Sequence, residues 1–144
     1  MQLDESSLNQ CLFFTSNRLS NILRRLANEV YKKTGIATPY IYLFIVVNQY
    51  PGISMTELSE KLDIAPSTCT RFVNALEQQA VIRKENEWKS VHIYLTEEGK
   101  KKGDIIDSAG IGFAQKCISV LGAETCANLA ADMMEAADQF EQSL

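Results

Sequence analysis

The feature that most constrains this chain is one change of hydrophobic period, with helix signals on either side of it. From Met55 to about Gln79 the apolar residues recur at three and four. Val81 to Arg83 and Val91-His92-Ile93-Tyr94-Leu95 then alternate with period two, and Thr96-Glu97-Glu98 reads as a cap with an acidic first turn. Spacing of three and four lines one face of a helix, whereas spacing of two lines one face of a strand. Residues 54–98 therefore predict helix, helix, hairpin and helix in that order.

Boundaries follow from local chemistry. Ser54-x-x-Glu57 is a capping box opening a short helix from Met55 to about Leu62, and Pro66 starts the next, which runs to about Gln79. Six polar-biased residues, Glu85 to Ser90, are expected to join the two strands. Upstream, Leu8, Leu12, Leu19, Ile22, Leu23, Leu26 and Val30 predict one long helix over 6–33, stopped by Gly35. Thr38-Pro39 opens a second helix, with Thr as cap and Pro at the first helical position, and Tyr50-Pro51-Gly52 ends it. Its run from Tyr40 to Val47 is apolar almost all round, so it should be central. Downstream, one helix is expected from about Glu97 to Val120, a break at Gly122, and a last helix from Ala123 to about Glu141. The fold class is mainly α with a small β-hairpin wing. It reads as one domain over 1–144, with a winged helix-turn-helix at about 53–96 and dimerisation helices at about 6–33 and 97–142.

Composition narrows the function classes. With 144 residues, 46% hydrophobic and 22% charged, the chain can build a core and is no disordered tail. Its longest apolar run, Tyr40 to Val47, is too short to span a bilayer, and Met-Gln-Leu-Asp-Glu is no secretion leader, so a soluble cytoplasmic protein is expected. Cysteines 11, 69, 117 and 126 form no Cys-x-x-Cys pair and His92 is the only histidine, so no disulfide framework, metal or cofactor is expected. Gly110-x-Gly112 lacks a third glycine, and neither a phosphate loop nor a Gly-x-Ser-x-Gly elbow occurs. Catalysis is not expected.

The net charge of −4 is unevenly spread. Residues 66–102 carry seven basic side chains against five acidic ones, while 103–144 carry one against seven. An acidic chain can still bind a polyanion if its positive charges share a face. Cys69, Phe72, Val73 and Leu76 must turn the 66–79 helix toward the core, which leaves Ser67, Thr70, Arg71 and Asn74 outside, with Thr68 at the flank. Arginine can grip guanine bidentately, asparagine can grip adenine, and the hydroxyls can reach bases or phosphates. Taken alone this face reads equally well as ordinary solvated surface. Beside the capped helix before it and the basic hairpin after it, with Lys84 and Lys89, it reads as a surface for double-stranded DNA.

Leu58-Ser59-Glu60-Lys61-Leu62, Ala65 through Glu77 and the wing end Ile93-Tyr94-Leu95-Thr96-Glu97-Glu98-Gly99 resemble the MarR family of bacterial transcription regulators. The resemblance covers essentially the whole chain, six helices with the wing between the fourth and fifth. It implies a homodimer joined by the first, fifth and sixth helices, usually a repressor that binds an inverted repeat and is released by a small ligand or by oxidation. The fourth helix would enter the major groove and the wing would lie over the minor groove, with Ser67, Thr68, Thr70 and Arg71 at the family's groove-facing positions. The family's wing often carries Asp-x-Arg; here Glu87 and Lys89 stand there, so the planar fork is missing while a phosphate contact by Lys89 remains. Ala65 replaces the capping hydroxyl of many relatives.

Periodicity supports the dimer separately. Ile106, Ala109, Phe113 and Val120, then Cys126, Leu129, Met133, Ala136 and Phe140, make two apolar stripes that a second copy would cover. The alternative is a six-helix monomer folded on itself. Trp88, the only tryptophan, is expected to fold over the strands rather than reach a groove, and His92 to sit on the wing surface near phosphate. Phe13, Phe14, Tyr31, Tyr40, Tyr42 and Phe44 are either core or the lining of a pocket for a small aromatic effector. Cys11 is read as structural, with peroxide or thiol sensing through it as the alternative. The rival to DNA binding is a winged-helix module used only for protein assembly.

Overall fold

The computed structural model describes residues 4–144. The N-terminal helix is not continuous. Asp4 accepts from Ser7 N–H at 3.1 Å while Ser7 Oγ accepts from Asp4 N–H at 3.3 Å, closing a 3-10 turn over Glu5–Gln10. Such short side-chain bonds compete with α-helix geometry. The backbone is extended at Cys11, and only then does α1 run from Leu12–Tyr31. A further 3-10 turn, Lys32–Thr34, ends at Gly35, which takes the left-handed conformation (φ 74°) that glycine adopts without steric cost.

Helix α2, Thr38–Gln49, begins one residue earlier than expected. Ala37 is its N-cap, Pro39 lies in its first turn, and the Thr38 side chain caps nothing. Ile41, Leu43, Phe44 and Val47 are buried, so α2 is indeed the central helix, although Tyr42 and Ile45 remain exposed. Short strand β1, Ile53–Ser54, leads into α3, Met55–Leu62. The Ser54 hydroxyl accepts from Glu57 N–H at 3.1 Å, the forward half of the expected box. Ser54→Ala should cost about 1 kcal/mol and lower the thermal midpoint by roughly 2–4 °C in a calorimetric scan.

Helix α4, Pro66–Gln78, buries Cys69, Val73 and Leu76 completely. The wing differs from the sequence expectation in two ways. Strands β2, Ile82–Glu87, and β3, Ser90–Leu95, pair as far as Glu87↔Ser90, so a two-residue turn, Trp88-Lys89, replaces the six-residue loop. Strand β1 adds a third member, in the order β1-β3-β2. The polar residues of the outer half of the hairpin hide its strands from a hydrophobic pattern, but backbone pairing needs no apolar side chains.

The expected helix from 97 to 120 is divided. Helix α5, Glu97–Lys101, is capped by the Thr96 hydroxyl on Gly99 N–H at 3.1 Å. Lys102 then tightens the chain with an i to i−3 bond to Gly99, and its ammonium donates to Thr34 O at 2.8 Å. Gly99 sits where a Cβ would lie 2.1 Å from Val81 O, so only glycine lets α5 approach the wing this closely. Helix α6, Gly103–Leu121, and helix α7, Ala123–Ser143, meet at Gly122 (φ 87°). Buried side chains of α1, α2, α3, α4, the sheet and the first half of α6 form one cluster. Helix α7 contributes no buried residue. Among the described residues no helix is long and apolar enough to cross a membrane.

Candidate nucleic-acid interface

The outer face of α4 is built by what lies beneath it. Cys69, Val73 and Leu76 fix the helix rotation from the core side, and Phe72 meets Tyr40 edge-on with ring centroids 5.0 Å apart. That rotation leaves Ser67, Thr70, Arg71 and Asn74 exposed and Thr68 half-buried, as the sequence predicted. The Thr70 hydroxyl donates to Pro66 O at 3.0 Å, which holds its methyl group and remaining lone pairs in one orientation. Ala65 caps α4 with no side-chain bond, so the first-turn N–H groups of Ser67 and Thr68 are open to an anion. Arg71 lies 5.7 Å from the Phe72 ring centroid and has no acidic partner among the ion pairs of the described residues.

Lys84 joins the wing to this helix. Its ammonium donates to Asn74 Oδ1 at 2.9 Å and stands 3.3 Å from a Glu77 carboxylate oxygen. Asn74 and Lys84 are thus brought together as a strut between α4 and β2, and Glu77 is a member of the site that sequence reasoning did not single out. Its only signal is its position one turn after Asn74 on the same helix. Lys89 projects from the wing turn. The turn itself corrects an expectation: Trp88 does not fold over the strands but is 95% exposed, with a left-handed backbone (φ 56°). The two-residue connection demands that conformation and aims the indole away from the sheet.

His92 is also corrected. It is half-buried, and its Nδ1 lies 2.7 Å from Gly52 O, so that nitrogen donates and ties the wing to the loop after α2. Its Nε2 sits 2.8 Å from Ser90 Oγ and 3.6 Å from the Glu87 carboxylate. Burial pushes the Cys69 thiol up, which keeps it an unreactive core residue. Cys11 is exposed at the break before α1.

Behind α4, a cleft of about 550 Å³ opens between α1, α2, α6 and α7, lined by residues including Leu19, Leu23, Arg24, Tyr42, Phe72 and Met133. Of the six aromatics considered from sequence, only Tyr42 reaches it. Phe44 is buried, Tyr31 is buried beside Phe113, Tyr40 packs on Phe72, and Phe13 and Phe14 project from the start of α1. Phe72 and Phe113 line the cleft instead, because chain folding brings them there from distant positions.

Fold and site together define a winged helix-turn-helix protein. Residues 46–83 match the family described as winged helix-turn-helix DNA-binding. An uncharacterised HTH-type transcriptional regulator of Bacillus cereus is 24% identical over 96 residues, which cover 67% of this chain and 65% of that relative's length. The repressor CouR bound to a 23-mer DNA duplex superposes with a TM-score of 0.85 at 15% identity, over 95% of this chain and 99% of CouR. CouR from Rhodococcus jostii RHA1 bound to p-coumaroyl-CoA gives 0.76 at 16% identity, over 90% and 93%. AbsC, a MarR family regulator from Streptomyces coelicolor, gives 0.80 at 16% identity, over 99% of each chain. The chain has the winged-helix fold of the MarR family of transcriptional regulators.

Proposed function

We propose that this chain, acting as one functional unit over 1–144, is a sequence-specific double-stranded DNA-binding regulator. In this reading it is a cytoplasmic homodimer that represses transcription from an inverted-repeat operator. The observation that carries the proposal is the outer face of α4, where Ser67, Thr68, Thr70 and Arg71, which pairs with no acid among the described residues, stand beside a wing bearing Lys84 and Lys89. An α-helix fits the major groove, and this face offers it donors, acceptors and one planar fork. Arg71 reads a base edge, the hydroxyls and open first-turn N–H groups hold phosphates, and Lys84 keeps the wing in register with α4. The DNA-bound state of CouR supports the same reading.

The dimer is supported by what this subunit leaves uncovered. Ile106 and Ala109, at the start of the α6 stripe, pack inside the subunit, whereas Ile118, Val120 and Leu121 of α6 are exposed. So are Leu129, Met133, Met134 and Phe140 of α7 and Leu12 and Phe13 of α1. Apolar surface on three helices is too much for a soluble monomer to leave bare. The cleft beside it fits a small aromatic effector carrying an acidic group: its walls are apolar, Arg24 supplies one cation, and Phe72 belongs to α4 itself. A ligand there presses on the helix that reads DNA. The p-coumaroyl-CoA bound by CouR, though far larger, likewise joins an aromatic ring to acidic groups.

The test is to titrate the protein with the DNA upstream of its own gene and with a scrambled duplex, at two salt concentrations. Saturable binding to the first, lost with the second and weakened by salt, is the expected result. Binding to neither, nor to any duplex drawn from a random pool, would leave the assembly-module reading in its place. Lys89→Ala should weaken binding to all sequences alike and reduce the slope of log affinity against log salt by about one.

A further inference from the structure

One residue at the interface is left without work by this reading. Trp88 is the largest side chain in the protein, and at 95% exposure it is almost uncovered by the described residues. It also occupies a left-handed backbone position (φ 56°), which a bulky residue adopts at a cost. Both features are unfavourable in the free protein, and glycine or asparagine would serve the turn better.

Its place in the fold is specific. Lys84 touches α4 through Asn74 and Glu77, and Trp88 lies four residues further on, in the turn just past the end of β2. At about 3.3 Å per strand residue, the turn reaches roughly 13 Å beyond that contact. With α4 in a major groove, the neighbouring minor groove is about half a helical turn away, roughly 17 Å, within reach of an indole at the wing tip. Lys89 beside it supplies a cation for the backbone phosphates. The nearby acids are turned aside or paired: Glu87 faces His92, and Glu85 pairs with Arg83 on the sheet face away from α4.

We propose that Trp88 is an apolar wedge for the DNA minor groove beside each half-site, lodging at a deformable pyrimidine–purine step. The inference rests on the DNA-binding reading above. Apolar side chains inserted between base pairs partly unstack them, and such steps yield most readily. The wing thereby senses the stiffness of the flanking DNA rather than its base edges, at a position where Lys89 has no planar fork to offer.

The experiment uses duplexes enriched from a random pool by the wild-type protein, with flanking steps then changed to a stiff A-tract. Trp88→Asn, which suits the left-handed turn, should bind the enriched duplex about tenfold more weakly. It should also no longer distinguish flexible from stiff flanks, while Trp88→Phe keeps most of both properties. As the only tryptophan, Trp88 should show quenched, blue-shifted emission on the enriched duplex. Unchanged affinity and flank preference in Trp88→Asn, or emission that stays that of a water-exposed indole on bound DNA, overturns the wedge and leaves DNA binding standing. Blue-shifted emission that depends on protein concentration without DNA also overturns it, by assigning the indole to a protein contact. Failure of the wild-type protein to enrich any duplex removes both the wedge and the reading on which it rests.

Discussion

Arg71→Ala should lower affinity for the operator by about 1–3 kcal/mol, roughly five- to 150-fold, with a much smaller loss on scrambled DNA. Arg71 is exposed on α4, makes no ion pair among the described residues, and stands 5.7 Å from the Phe72 ring centroid. Its removal therefore leaves the fold alone, and the loss falls on recognition. Arg71→Lys should recover non-specific binding but not discrimination, because an ammonium carries the charge without the bidentate geometry. Asn74→Ala makes a useful contrast. The Asn74 carbonyl oxygen already accepts from Lys84, and Glu77 remains to hold that ammonium, so its loss should be the smaller. Competition titrations of the three variants against matched and mismatched duplexes would rank them. Operator affinity unchanged in Arg71→Ala would remove α4 from the groove.

Only part of this arrangement was legible in the sequence. The inward face of α4 was, because Cys69, Phe72, Val73 and Leu76 repeat at helical spacing and so fix which side chains point outward. The start of α3 was legible from Ser54, whose local bond a local motif can encode. The outer hairpin was not. From Glu85 to Ser90 both sheet faces meet solvent, so alternation disappears while the backbone ladder continues to Glu87↔Ser90. The strut between Asn74 and Lys84, the tie between His92 and Gly52, and the bond from Lys102 to Thr34 join residues 10, 40 and 68 positions apart. Each depends on the folded arrangement of elements, and no spacing rule reports it. The cleft escaped for the same reason: Arg24, Phe72 and Met133 share a wall only once α1, α4 and α7 are assembled. At the start of α1 the apolar pattern ran straight through a break that Asp4 and Ser7 make with side-chain bonds.

The largest effect is expected where the subunit is least complete. Leu129→Glu with Phe140→Glu on α7 should convert the protein to a monomer in analytical ultracentrifugation and lower operator affinity by about a hundredfold or more. The reasoning is one of area and linkage. Helix α7 has 21 residues, about 32 Å of helix, and none of them is buried by its own chain. A stable specific interface needs on the order of 1,000 Å² of buried surface, which the exposed apolar residues of α7, α6 and α1 together can supply. Each Leu or Phe fully covered contributes about 1.5–3 kcal/mol, and a carboxylate in its place must be desolvated against apolar neighbours. Because both positions are exposed in the single subunit, far-ultraviolet circular dichroism should stay unchanged while the two DNA-reading heads come apart. Two linked heads bind their half-sites as one ligand, and separated heads must each bind alone. A wild-type protein that sediments as a monomer at micromolar concentration, or a charged variant that holds its operator as tightly as the parent, would refute the dimer.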